Sequence, residues 1–312
     1  MARPIARTWF ASAAAALSLL SLPACSGTAG QASQAGAAGH VEVRAADGLV
    51  TIPHTPRRVV SVSPSATEDL YAVGAGGQVA AVDSYSTYPR SAPRTSLSSD
   101  KPNVEAIAGY DPDLVIVAED TGGVIAQLRK LHVPALLEPP AANLNVVYEQ
   151  LEQIGQATGH AGRAASVVAR MKREVAAIVH GVPRPARPID VYHELDQTLY
   201  SASSRTFVGQ AYSLLGLRNI ADAAKGSGEY PQLSNEYVIA SDPSLIVLAD
   251  TVCCGQSAAT VAARPGWREI AAVRDGHVLQ VQDAVASQWG TRFVEFLRAV
   301  AGEVRKIERQ GR

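Results

Sequence analysis

The sequence predicts an α/β protein of two Rossmann-like lobes, each with a central parallel-type sheet. A single long α-helix joins them. Three observations predict this. Short β-branched runs alternate with helix-period segments, which implies parallel strands linked by helical crossovers. The scheme occurs twice: Asn103-Val104-Glu105 with Asp111-Pro112-Asp113-Leu114-Val115-Ile116-Val117 returns as Asn235-Glu236 with Asp242-Pro243-Ser244-Leu245-Ile246-Val247-Leu248. From the glutamate onward the offset is constant (236 − 105 = 131). Between the copies runs a stretch of helical spacing.

Composition bounds the answer. The chain has 312 residues, 47% of them apolar, so it can bury a full core and suggests about two domains. Lys and Arg total 28 against 29 Asp and Glu, so no basic excess argues for nucleic acid. Collagen, coiled coil and disorder of the whole chain are excluded. Aromatics are only 5%, so each Trp and exposed-looking Tyr is informative.

Residues 1–24 read as an export signal. Arg3 and Arg7 precede an apolar core over 9–22, shorter than the roughly 20 residues of a spanning helix. The core ends in Leu22-Pro23-Ala24-Cys25, the pattern of a lipoprotein signal with Cys25 as the lipid-bearing N-terminus. Ordinary secretory cleavage with Cys25 incidental is the alternative. Residues 26 to about 40 are Gly, Ala, Ser, Gln and Thr, which cannot bury area, so 25–55 is expected to be a tether. The folded body is then held outside the cell membrane.

The N-terminal lobe is expected over 56–158. It has strands at Val59–Val62, Val79–Val82, Leu114–Val117 and 133–137. Ser65-Ala66-Thr67-Glu68 reads as a capping box opening a helix that stops at Gly74-Ala75-Gly76. A second helix runs through Ile125, Leu128 and Leu131. The helical stretch over 144–179 is divided at Gly155 and Gly159-His160, and 159–182 forms the connecting helix, until Pro183, Pro185 and Pro188 end it. The C-terminal lobe, 183–312, has strands at 188–192, Leu245–Leu248 and 278–281, and a helix from about Thr206 to Gly216.

At this point the chain resembles a substrate-binding protein of an ABC importer, of the vitamin B12 and ferric-siderophore family. The residues that bring the likeness are 58–68, Asn103-Val104-Glu105-Ala106-Ile107 with 111–116, and Ala263-Arg264-Pro265-Gly266-Trp267. It covers nearly all of 56–305. The resemblance implies two lobes on one rigid helix with the ligand in the cleft between them, no cofactor and limited lobe closure; a monomer without enzymatic activity is expected. The implied partners are a metal chelate (corrinoid, ferric siderophore or haem) and a membrane permease dimer. Glu105 and Glu236 fall where the family places one permease-docking glutamate on each lobe. Two carboxylates held apart by a strut fix orientation through charge-assisted pairs. Otherwise each is a solvated acid in the first turn of a helix.

Ligands of parallel α/β lobes sit at the carboxyl ends of the strands. Ser65, Tyr85, Tyr88, Tyr200, Arg205, Tyr230, Trp289 and Arg292 are the candidate ligand residues there, because aromatics and arginines suit a conjugated ring or an anionic chelate. Ser65 and Glu68 also suit a helix cap, and Trp267 a structural role. His193 follows a strand whose end faces the cleft and is a weak metal candidate without a second ligand at suitable spacing. Adjacent Cys253 and Cys254 are left with each other if Cys25 is lipidated, so a vicinal disulfide is expected; two thiols or an intermolecular bond are the alternatives. The sequence has no Ser-His-Asp order, no His-Glu-x-x-His and no phosphate loop, which argues against an enzyme on this fold. A scaffold lipoprotein that merely kept the fold is the third reading.

Overall fold

The structure is a computed structural model that describes residues 40–182, 187–224 and 228–311. The export signal, Cys25 and the first part of the expected tether lie outside the described residues. No described helix is long and apolar enough to cross a membrane.

The tether is shorter than expected, because a hairpin occupies its second half. Strands β1 (Val41–Ala45) and β2 (Gly48–Ile52) pair antiparallel across an Ala46-Asp47 turn. Alternation drives the burial: Val43, Ala45, Val50 and Ile52 face the core while Glu42, Arg44 and Thr51 face water. Gly48 has φ 129°, a backbone that L side chains rarely adopt.

The N-terminal lobe then runs β3 (Val59–Val62), α1 (Pro64–Ala72), β4 (Val79–Val82), α2 (Val104–Ala108), β5 (Leu114–Val117), α3 (Val124–Lys130) and β6 (Ala135–Leu137). Its sheet is parallel throughout, in the order β4-β3-β5-β6. Two helices follow, α4 (Leu144–Ala157) and α5 (Ala161–His180). Gly155 does not divide them. It lies inside α4, and a Cβ there would stand 2.3 Å from the Ala164 Cβ of α5, so glycine permits the close crossing. The C-terminal lobe runs β7 (Asp190–Glu194), α6 (Gln210–Leu214), β8 (Arg218–Asn219), α7 (Asn235–Ser241), β9 (Leu245–Leu248), α8 (Ala258–Ala262), α9 (Ala271–Arg274), β10 (Val278–Gln280), α10 (Asp283–Ser287) and α11 (Phe293–Gln310). The helix expected from Thr206 is confined to the short α6.

The second sheet is also parallel, in the order β10-β9-β7-β8. Counted along the chain, both sheets place their strands second, first, third, fourth. The duplication therefore extends from letters to topology, and to backbone detail. Asp111 and Asp242, each before a proline, take the left-handed conformation at φ 50° and 43°. Asp113 N–H donates to the Arg58 carbonyl and Ser244 N–H to that of Asp190.

Each sheet buries both faces, so the strands read as unbroken apolar runs. Val60, Val62, Val115 and Val117 pack under α3 in a core of the N-terminal lobe. Tyr192, Ile246 and Leu248 pack with Val238, Val261 and Trp267 in a core of the C-terminal lobe. The opposite faces, Val59, Leu114 and Ile116 in one sheet and Val191, Leu245 and Val247 in the other, belong to one continuous core. Leu151 and Ile154 of α4, Val168 and Met171 of α5, and Phe296 and Val300 of α11 fill it.

Candidate functional site

Helix α1 begins one step earlier than the capping-box reading. Ser63 is the N-cap, its Oγ accepting from Ala66 N–H at 3.2 Å, and Pro64 starts the helix. Ser65 is therefore buried within the first turn, not presented to a ligand. Glu68 is released from capping and does something else. Its carboxylate meets the Arg292 guanidinium at 3.2 Å, although the two residues are 224 positions apart. The Arg292 guanidinium also lies 4.4 Å over the Tyr88 ring. Arg292, expected to face a ligand, makes a contact between the lobes and also lines the cavity beside it. Burial, opposed by Arg292, raises Glu68 to about 7. Beside it Asp69 is buried and raised by desolvation and then by Glu68, while the Thr291 backbone donates to it. Gly290 lets that segment approach: a Cβ there would lie 3.1 Å from Asp69 Oδ1. Next to this latch a cavity of about 470 Å³ opens between α1, α5 and α11, walled by Tyr71, Tyr88, Arg170 and Arg298.

Tyr85 and Tyr88 stand exposed on the loop after β4. Asp83 shapes that loop: its Oδ1 accepts from Tyr85 N–H at 3.0 Å and Ser86 N–H at 2.7 Å, an Asx-type turn. Thr67 and Ser86 hydroxyls, 2.9 Å apart, pin it to α1. In the C-terminal lobe, Tyr200 and Tyr230 are exposed on two paired segments. Tyr200 bridges Gln232, and Ser201 N–H donates to the Pro231 carbonyl. Arg205 is exposed and donates to the Gly228 carbonyl at 2.8 Å. Trp289 is half-buried, one side packed on the continuous core.

His193 is not at the cleft. The pleat turns it, with Val191, into the continuous core, where it touches Tyr212 and Phe296. Its Nδ1 pairs with the Tyr212 hydroxyl at 2.5 Å, and burial pushes the ring down to about 4, so it is neutral. Among the described residues no group of three or more His, Cys, Asp or Glu could hold a metal ion. Glu105 and Glu236 are exposed in the first turns of α2 and α7, capped by Asn103 and Ser234. Cys253 and Cys254 are exposed and are free thiols in the structure.

Sequence reasoning missed a polar cluster at the carboxyl ends of β7 and β9. Fully buried Glu194 receives both arms of Arg264 at 2.6 Å. Arg264 lies 4.5 Å over the buried Trp267 ring, which meets Tyr192 edge-on. Gly266, at φ +79°, makes the tight turn, where a Cβ would stand 2.8 Å from Ile239 Cδ1. The Arg-Pro-Gly-Trp motif is thus the clamp that closes this lobe. Asp250 lies buried beside Glu194, and desolvation, then the Glu194 charge, raises it to about 7. No spacing in the sequence joins Glu194, Asp250 and Arg264.

Two parallel sheets of the same strand order, a shared helical layer and exposed aromatics on the loops of both define a bilobal solute-binding protein. The chain belongs to the periplasmic binding protein family, whose model, described as "Periplasmic binding protein", matches residues 59–285. It is 33% identical to a protein named cobalamin-binding protein from Halobacterium salinarum over 83% of this chain and 72% of that one. It is 29% identical to the "uncharacterized ABC transporter substrate-binding lipoprotein YvrC" of Bacillus subtilis, over 82% of each. Among solved structures, the periplasmic heme-binding protein RhuT from Roseiflexus sp. RS-1 superposes with a TM-score of 0.71 at 25% identity, covering 81% of this chain and 99% of that one.

Proposed function

We propose that this protein is the extracytoplasmic substrate-binding lipoprotein of an ABC importer, capturing a corrinoid and delivering it to a membrane permease. The exposed tyrosines carry the reading. Tyr85, Tyr88, Tyr200 and Tyr230 leave apolar rings in water on loops of both lobes, in a chain with only 5% aromatics. Such rings suit the face of a large macrocycle, and their hydroxyls suit its polar rim. The relative named cobalamin-binding protein supports the corrinoid, and the B. subtilis relative the importer and the lipid anchor. Glu105 and Glu236 are the permease-docking pair in this reading, and no step of chemistry is assigned to the protein.

Isothermal titration of the signal-free chain with cobalamin, haem and ferric siderophores tests the reading. Saturable one-to-one cobalamin binding with a dissociation constant of about 1 μM or tighter is expected. Haem bound in its place would transfer the site to haem, whose iron a tyrosine hydroxyl can ligate. A flat titration with all of them would remove the metal-chelate class.

A further inference from the structure

We propose that Cys253 and Cys254 are a redox modification site, at which a small-molecule disulfide converts the two adjacent thiols into an intramolecular vicinal disulfide. Its effect on ligand binding rests on the function proposed above; its chemistry does not. The pair sits on the exposed loop after β9, at the carboxyl end of the second sheet. One peptide unit joins the two residues, so the bond closes a tight eight-membered ring across Cα atoms about 3.8 Å apart and needs no distant segment to approach. The Cys253 thiol faces both the Cys254 thiol and the Asp283 carboxylate. Gly255, left-handed at φ +65° with open space around it, turns the chain away from the pair.

The loop is held by one acid. Asp283 Oδ1 accepts from Val252 N–H at 2.9 Å and Oδ2 from Cys253 N–H at 2.7 Å, and the Thr251 hydroxyl lies 3.3 Å from Oδ1. Desolvation raises the Asp283 carboxyl, but the Val252 and Cys253 N–H groups and the Cys253 thiol outweigh it and hold it below its ordinary value. Asp283 is also the first residue of α10, the short helix that leads to Trp289 and Arg292. Whatever moves Cys253 therefore pulls on the segment that bears Trp289 and the interlobe arginine.

The sequence of steps balances. Desolvation and the contacts to Cys254 and Asp283 push the Cys253 thiol up to about 12, so it keeps its proton and attack falls to Cys254. The Cys254 sulfur displaces one half of the incoming disulfide, which leaves as a thiol with the Cys254 proton. The Cys253 sulfur then attacks the Cys254 sulfur of the mixed disulfide, and the second half leaves as a thiol with the Cys253 proton. Two protons and two electrons pass to the small molecule. The new bond draws the Cys253 sulfur off Asp283.

The signal-free chain carrying Cys25→Ser, so that Cys253 and Cys254 are its only thiols, incubated with oxidised glutathione and read by intact and peptide mass spectrometry, tests this. The expected product has lost two hydrogens, with the bond mapped to the Cys253-Cys254 peptide and reversed by dithiothreitol. Cys253→Ser should instead be trapped with one glutathione on Cys254, and faster than Cys254→Ser is trapped on Cys253. A wild-type product with two glutathiones, an intermolecular dimer or unreacted thiols would overturn the site. Faster trapping of Cys254→Ser would overturn the order of attack. Cobalamin affinity should differ severalfold between the two redox forms; equal affinities in confirmed disulfide and dithiol forms would overturn the coupling through Asp283. The mass readout needs no ligand, so failure of the ligand reading leaves this test intact.

Discussion

Arg292 shows how neighbours settle a residue's role. From the sequence it is a cation near a cleft; in the fold it is sandwiched between Glu68 and Tyr88. Removing Glu68 would leave a buried guanidinium with only the more exposed Glu295, at 3.5 Å, as a carboxylate partner. Glu68→Ala is expected to lower stability in urea unfolding, but by less than the roughly 3–5 kcal/mol of a broken buried pair, because burial already holds Glu68 near half-protonated at neutral pH; no loss would show the latch to be solvated. Trp289→Ala should weaken cobalamin more than about tenfold, or about 1.4 kcal/mol. An unchanged dissociation constant would make the ring a core residue alone. Glu138 offers a proton-linked test. It is buried after β6 and raised from 4.5 to about 9, by desolvation first and then by the charges of Asp69 and Asp47. A carboxyl raised in the folded state contributes stability that is fully present below its unfolded pKa and is lost as pH rises from about 4.5 towards 9. Glu138→Gln should therefore be more stable than the parent by about 2 kcal/mol near neutral pH, and should flatten that decline. An identical pH slope in the variant would refute the burial argument.

At the scale of elements, glycine and alternation matter more than propensity. Gly155 lies in a helix, where alanine would ordinarily gain about 0.5–1 kcal/mol. Its added methyl would meet the Ala164 methyl at 2.3 Å, and overpacking of that kind costs about 1–3 kcal/mol. The clash should win: Gly155→Ala is expected to lower the urea midpoint, and a raised midpoint would show that α4 and α5 can slide apart. The hairpin β1–β2 was legible in principle, since Val41, Val43 and Ala45 alternate with polar residues before an Asp-Gly turn. The Gly- and Ala-rich stretch before it masked the signal. Seven of the eight sheet strands were readable because burial on two faces leaves them mostly apolar; β8 was not, because its two residues, Arg218 and Asn219, carry no apolar signal. The capping register of α1 was not, because Ser63 and Ser65 offer the same hydroxyl two positions apart, and only the backbone at φ −152° and ψ 118° selects Ser63.

For the whole molecule, the governing feature is the continuous core. Because α4, α5 and α11 belong to one apolar core with the inner faces of both sheets, the lobes cannot rotate freely without exposing that surface. Small closure movements are expected, with the Glu68–Arg292 and Asp69–Thr291 contacts acting as stops. Ligand capture and delivery should then be separable. Changing Glu105 and Glu236 together to alanine should leave cobalamin affinity intact and abolish uptake by cells; normal uptake would end the docking proposal.

The sequence by itself determined the two-lobed architecture, the duplicated unit of glutamate, Asp-Pro and buried strand, and the family, because these follow from local hydrophobic period and from motifs that repeat in register. It also marked the exposed tyrosines, whose ring type is informative wherever aromatics are scarce. Only the tertiary structure decided that His193 is a neutral core residue, that Arg292 joins the lobes, and that Glu194 and Arg264 clamp one of them. Each depends on which groups meet across long stretches of chain, and a buried charge takes its role from that partner, which no spacing along the sequence specifies.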